Sequence, residues 1–193
     1  MSESCVKCLK CAGVYDAQIY PSVNAAAQPE LKEKIKSGEL FVSECPHCAH
    51  RQLLKYNMLY HDPASRLIIC LSDVPFVSDG KEGYVCRMVS DAGSLVEKIR
   101  IFDSGLDDIV IEMCKFVTCS EMGKEVDLRF FRLEGADNEM VFTYPGKSEM
   151  EMIAVGFNVY EDCAGIVRRN PALKEAASGL VKVDSQWIRK FIG

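Results

Sequence analysis

The sequence predicts an α+β protein. Two C-x-x-C pairs, one near the start and one at Cys45-Pro46-His47-Cys48, offer four thiolates to a single site. Apolar and polar residues alternate over two long stretches, as half-buried strands do. Between those stretches lie two capped amphipathic helices. Together these features describe a zinc-ribbon-like element with a helix inserted between its knuckles, continuing into an antiparallel sheet covered by helices.

Val14 to Tyr20 mixes aromatic and β-branched residues like a short strand, and Pro21-Ser22 ends it. Gln28 to Gly38 carries the punctuation of a helix. Pro29 and Glu30 sit in the first turn, Lys34 and Lys36 gather near the end, and Gly38 terminates it. Leu31 and Ile35 give this helix one narrow apolar stripe. Leu40 to Glu44 reads as a strand leading into Cys45. Leu54, Tyr56, Met58 and Tyr60 then alternate along one long half-buried strand. His61-Asp62-Pro63 turns the chain, and Arg66 to Leu71 is apolar enough for a central strand.

Residues 72–90 hold turn formers, among them Pro75 and Asp79, around a short strand from Tyr84 to Val89. Ser94 to Glu97 and Ser104 to Asp107 each have capping-box spacing, so two helices in an αα-hairpin are predicted. Leu95, Ile99 and Phe102 share a face of the first. Leu106, Ile109, Val110, Met113, Phe116 and Val117 share a face of the second. Residues 125–160 form a meander whose third strand runs from Met150 to Tyr160, and helices follow at Pro171 to Ser178 and from Asp184. Gly146-Lys147-Ser148 has the tail of a phosphate loop but neither its upstream glycine nor its helix, which excludes that reading. A domain over residues 1–120 and a second over 121–193 are expected.

The net charge of −5 is uneven. Residues 1–62 carry seven Lys/Arg and seven Asp/Glu, and the acidic excess lies in the remainder. No basic face announces itself, which argues against a nucleic-acid partner bound through phosphate contacts. The polar N-terminus lacks the apolar core of a signal peptide, and no run of about eighteen apolar residues occurs, so no membrane partner is expected. Ten cysteines without secretion signals point to a reducing cytoplasm. There, clustered pairs hold metal, and Cys70, Cys86, Cys114, Cys119 and Cys163 are read as isolated small hydrophobes.

Three cysteines near the start compete for two places, because Cys5/Cys8 and Cys8/Cys11 share the spacing. A knuckle turns tightly beneath its metal and prefers a small residue after its second cysteine. Ala49 follows Cys48 and Ala12-Gly13 follow Cys11, whereas Leu9 follows Cys8. The expected zinc ligands are therefore Cys8, Cys11, Cys45 and Cys48, with Cys5 as neighbour or substitute. His47 and His50 offer a mixed-ligand alternative.

Cys8-Leu9-Lys10-Cys11, Ser22-Val23-Asn24, Pro29-Glu30-Leu31, Gly38 to Phe41, Cys45 to Cys48 and Leu59 to Pro63 together resemble the CpXC family, named for two C-P-x-C motifs. Leu95 to Phe102 and Gly105 to Asp108 are similar more loosely. The chain departs from the pattern at Leu9, where the family has proline, and at Ala12 and Ala49, where it favours glycine. The resemblance implies a bacterial or archaeal protein with a knuckle at Cys8/Cys11. It implies no particular reaction.

Four thiolates leave no open coordination position, which zinc catalysis needs. The expected function is thus a non-catalytic, zinc-stabilised interaction or regulatory module, with a protein partner or a second copy in a homodimer. One alternative is an enzyme whose site lies near His61-Asp62 or Asp107-Asp108. The plainer readings are a turn shaped by Asp62 with His61 bonded to backbone, and two acids at a helix start. The other alternative is nucleic-acid binding through the ribbon.

Overall fold

A computed structural model describes residues 2–74, 78 and 80–192, so the predicted turn residues Pro75 and Asp79 lie outside the described residues. By internal packing the chain divides into two compact units, residues 1–96 and 97–193. The class is α+β, with several sheets and helices.

The first unit opens with β1 (Ser2–Lys7) and β2 (Val14–Ile19), paired antiparallel from Ser2↔Ile19 to Lys7↔Val14. Next come β3 (Ser22–Asn24) and α1 (Pro29–Lys36). Pro29 enters α1 without loss because the first turn has no use for its missing N–H, and Gly38 leaves it at φ 78°. Leu31 and Ile35 are buried, as their four-residue spacing predicts. A short 3₁₀ turn, Glu39–Phe41, precedes a second hairpin of β4 (Val42–Glu44) and β5 (Arg51–Leu53).

β6 (Met58–Asp62), β7 (Leu67–Leu71) and β8 (Val85–Val89) then join β3 in the spatial order β8-β7-β6-β3. Two expectations are corrected here. The sheet is mixed, because β3 runs parallel to β6 and β7 parallel to β8, while β6 and β7 are antiparallel. The long strand through 54–60 is broken, because Arg51–Leu53 pairs with β4 whereas Met58–Asp62 pairs with β3 and β7. One continuous strand cannot serve both sheets. Leu54 bridges the gap by donating its N–H to the Phe41 carbonyl at 2.8 Å, and Tyr56 donates its hydroxyl to the Leu40 carbonyl at 3.1 Å.

The division between units falls inside α2 (Ala92–Asp103). Asp91, not Ser94, starts this helix: its carboxylate accepts from the Ser94 amide at 2.9 Å and the Ser94 hydroxyl at 2.7 Å. In the second unit α3 (Asp108–Met122) is likewise capped by Asp107, which accepts from the Ile109 amide at 2.9 Å, and not by Ser104. The predicted hairpin of two helices is present. An antiparallel meander follows, with β9 (Arg129–Glu134), β10 (Glu139–Pro145) and β11 (Met150–Val155) in the order β11-β10-β9.

β11 stops at Val155, five residues short of the predicted end, and the chain turns at Gly156 into α4 (Phe157–Arg169). α5 (Pro171–Ala176), β12 (Leu180–Val181) and α6 (Ser185–Ile192) complete the unit. Its core gathers Ile109, Val110 and Met113 of α3, Phe130 and Phe142 of the meander, Cys163 and Val167 of α4, and Trp187 and Ile188 of α6. Cys86, Cys114 and Cys163 are buried and Cys70 and Cys119 half-buried. Cys114 is not isolated as expected. The neighbouring Cys163 thiol, together with burial, pushes its thiol far up.

Candidate metal centre

Each hairpin of the first unit ends in a knuckle. Lys7↔Val14 closes the β1–β2 ladder just before Cys8, and Glu44↔Arg51 closes the β4–β5 ladder just before Cys45. The two turns repeat one hydrogen-bond pattern. The Cys8 amide donates to the Gly13 carbonyl at 2.8 Å and the Ala12 amide to the Cys8 carbonyl at 3.0 Å. In the second, the Cys45 amide donates to the His50 carbonyl at 2.9 Å and the Ala49 amide to the Cys45 carbonyl at 2.9 Å. Both turns are closed by a residue in the left-handed region, Ala12 at φ 59° and Ala49 at φ 56°. Small residues stand at both of these left-handed positions.

The Sγ atoms of Cys8, Cys11, Cys45 and Cys48 all lie within 4.8 Å of one another. Cys8 and Cys48 are 3.6 Å apart, and Cys11 and Cys45 are 3.7 Å apart. Four thiols at this spacing could hold a metal ion. Cys5 lies exposed on β1, paired with Asp16, outside the group. His47 Nε2–H donates to the Val14 carbonyl at 3.2 Å, so this histidine ties one knuckle to the strand leaving the other.

Sequence alone does not point to Gln52, which locks the two knuckles together. Its buried amide accepts from the Leu9 N–H at 2.8 Å through Oε1 and donates to the Lys7 carbonyl at 3.1 Å through Nε2. The electrostatics of the cluster are unequal. The Cys11 amide and then, against burial, the Lys10 amide lower Cys8 to about 6. At Cys48 the His50 amide works downward, but burial and the neighbouring sulfurs outweigh it and push the thiol up to about 12. Four thiolates this close repel one another, and a cation between them removes that cost.

The other expected residues are placed differently. Asp62 shapes its turn, accepting from the Ala64 and Ser65 amides at 3.1 and 3.2 Å, and pairs with Lys32 at 3.1 Å. Burial works upward on this carboxyl, yet Lys32 and the turn amides hold it below the usual carboxylate range. Among the described residues the His61 ring makes no hydrogen bond to backbone, contrary to expectation. Its Nε2 is buried without a partner among the described residues, and its ring packs on Tyr84 with centroids 5.6 Å apart. Asp107 is a helix cap, but Asp108 is buried against Lys98 at 2.8 Å.

A family model described as CpXC protein matches residues 6–115, more than half of the chain. The chain belongs to the CpXC family. No curated protein and no solved structure matches it. The matched span of the CpXC chain contains all four clustered cysteines, Gln52 and the Asp62 turn. No helix among the described residues is long and apolar enough to cross a membrane.

Proposed function

We propose that this CpXC chain holds one structural zinc ion between Cys8, Cys11, Cys45 and Cys48, in a zinc-ribbon-like arrangement, and serves as a non-catalytic interaction module in the cytoplasm. The observation that carries this reading is the sulfur spacing. A tetrahedral ion with bonds of about 2.3 Å requires sulfur–sulfur edges of about 3.8 Å. Cys8–Cys48 and Cys11–Cys45 stand at 3.6 and 3.7 Å, and no pair exceeds 4.8 Å. All-thiolate donor sets favour zinc over hard cations, and four of them close the coordination shell, leaving no position for substrate. Asp62 is committed to its turn and ion pair, which leaves it a structural part.

Metal analysis of purified protein tests the reading. About one zinc per chain is expected, together with a marked fall in thermal stability for Cys45→Ser combined with Cys48→Ser. A preparation without zinc, or a double variant as stable as the parent, would refute it. Salt-dependent binding to DNA or RNA would instead favour a nucleic-acid role for the ribbon.

A further inference from the structure

The meander of the second unit runs β11-β10-β9, so β9 and β11 are its two edges, and they differ. β9 is blunted against further pairing. Its Phe130 amide goes to the buried Glu97 carboxylate at 2.7 Å, its ladder with β10 skips Phe131, and it carries Arg129, Arg132 and Glu134. β11 pairs with β10 without a break from Pro145↔Met150 to Met140↔Val155. Its one charged residue is Glu151, whose carboxylate already accepts the Tyr144 hydroxyl at 2.7 Å.

The register shows which backbone groups of β11 are spare. Across the turn the Gly146 amide donates to the Glu149 carbonyl at 2.8 Å. Bonded and unbonded pairs alternate along an antiparallel ladder. Glu151, Ile153 and Val155 therefore bond to β10, while Met150, Met152 and Ala154 direct N–H and C=O outward. Pro145, opposite Met150, fits an unbonded place because it has no N–H to give. Among the described residues no hydrogen bond from outside the meander reaches these three outward residues. Their side chains are exposed too, Met150 by 57% and Met152 by 62%.

We propose that β11 pairs antiparallel with β11 of a second copy, centred on Met152, joining two meanders into one sheet across a homodimer. Two-fold pairing about Met152 sets Met152 against its own image and Met150 against the partner subunit's Ala154, a long side chain beside a short one. Every spare residue then faces a spare residue, and each pair exchanges two backbone bonds, about six in all. A centre on Glu151 would oppose like charges, and a centre on Ile153 would set Met150 against Gly156, beyond the strand. A second copy fits better than a foreign strand because self-pairing closes on itself, and the blunted β9 edge stops growth at two. The inference goes beyond the metal reading and does not depend on it, since β11 lies in the other compact unit.

Sedimentation of the full chain from micromolar to millimolar concentration should show a reversible monomer–dimer equilibrium. In the dimer, hydrogen exchange should slow at the amides of 150, 152 and 154, whereas those of 151, 153 and 155 stay protected in both states. Met152→Lys sets a charge against its own image and should weaken the dimer at least tenfold. Met152→Pro removes an N–H that β10 does not use and should do the same. Both variants should keep the parent's circular dichroism; if the lysine variant misfolds, the proline variant decides. A chain that stays monomeric at millimolar concentration overturns the proposal. So does a dimer that a folded variant leaves intact, a dimer whose amides at 150, 152 and 154 exchange as in the monomer, or growth beyond two copies.

Discussion

Leu9 ties its knuckle down through its backbone. It keeps an N–H that a proline would lack and donates it to the buried Oε1 of Gln52. Leu9→Pro removes that donor and strands a buried acceptor, a loss of about 1–3 kcal/mol. Urea unfolding of the metal-loaded protein measures it; an unchanged or raised stability would show that the Gln52 bond carries no weight. Ala12 and Ala49 make the opposite case. Both hold left-handed backbone at a cost of about 1 kcal/mol each, so Ala12→Gly and Ala49→Gly should each raise stability by up to that amount. The reverse exchange at Gly13 would crowd its neighbours. A methyl group there would stand 2.7 Å from His47 Cδ2 and 3.3 Å from Cys11 Sγ, pressing on the knuckle itself. The small-residue argument that selected Cys8 and Cys11 was thus legible in sequence, whereas the Gln52 tie was not. Its partners lie 43 and 45 positions away, and no local pattern signals them.

At the level of elements, α3 is the instructive case. Its apolar positions predict one buried face, yet Asp108, Glu112 and Lys115 are buried as well. Lys115 reaches Glu97 at 2.6 Å and Glu112 at 3.0 Å, and Lys98 reaches Asp108 at 2.8 Å and Glu112 at 3.6 Å. Glu97 also accepts the Phe130 amide at 2.7 Å, linking α2 to β9. Burial raises Glu112 despite Lys115 and Lys98, and its Oε2 has no partner among the described residues. Above about 4.5 the native state therefore binds more protons than the unfolded one, and stability falls as pH rises towards the raised value. Glu112→Gln should flatten that fall; denaturant unfolding from pH 5 to 9 would contradict the assignment if parent and variant ran parallel. Charges at positions 108, 112 and 115 recur at helical spacing, so they mark a second buried stripe that an apolar count overlooks. Other elements escaped for their own reasons. β1 has only Val6 and Cys5 among polar neighbours, and its extended form comes from pairing with β2. α4 was masked because Phe157 and Val159 continue the alternation of β11, while Tyr160, Cys163 and Val167 already follow helical spacing. The parallel pairs of the sheet were illegible because strand order depends on connections, not on the strands' own residues.

For the whole chain, the matched family segment and the packing units do not coincide. The match runs over 6–115, while the compact units meet between 96 and 97. Removing a metal ion held by the four cysteines should act on the first unit directly: chelation is expected to speed hydrogen exchange at both knuckle hairpins, and unchanged rates there would show that the ladders stand without metal. The end of the match has a more practical consequence. A polypeptide stopped at residue 115 would cut α3 in half, discard the β9 amide that Glu97 accepts, and lose Phe130, Phe142, Val167 and Trp187 from around Ile109, Val110 and Met113. What remained would carry two ion-bearing helices with greasy flanks laid open to water, prone to stick to its own copies. Boundaries borrowed from family likeness therefore invite insoluble material, and the shortest piece fit for the bench runs through α6.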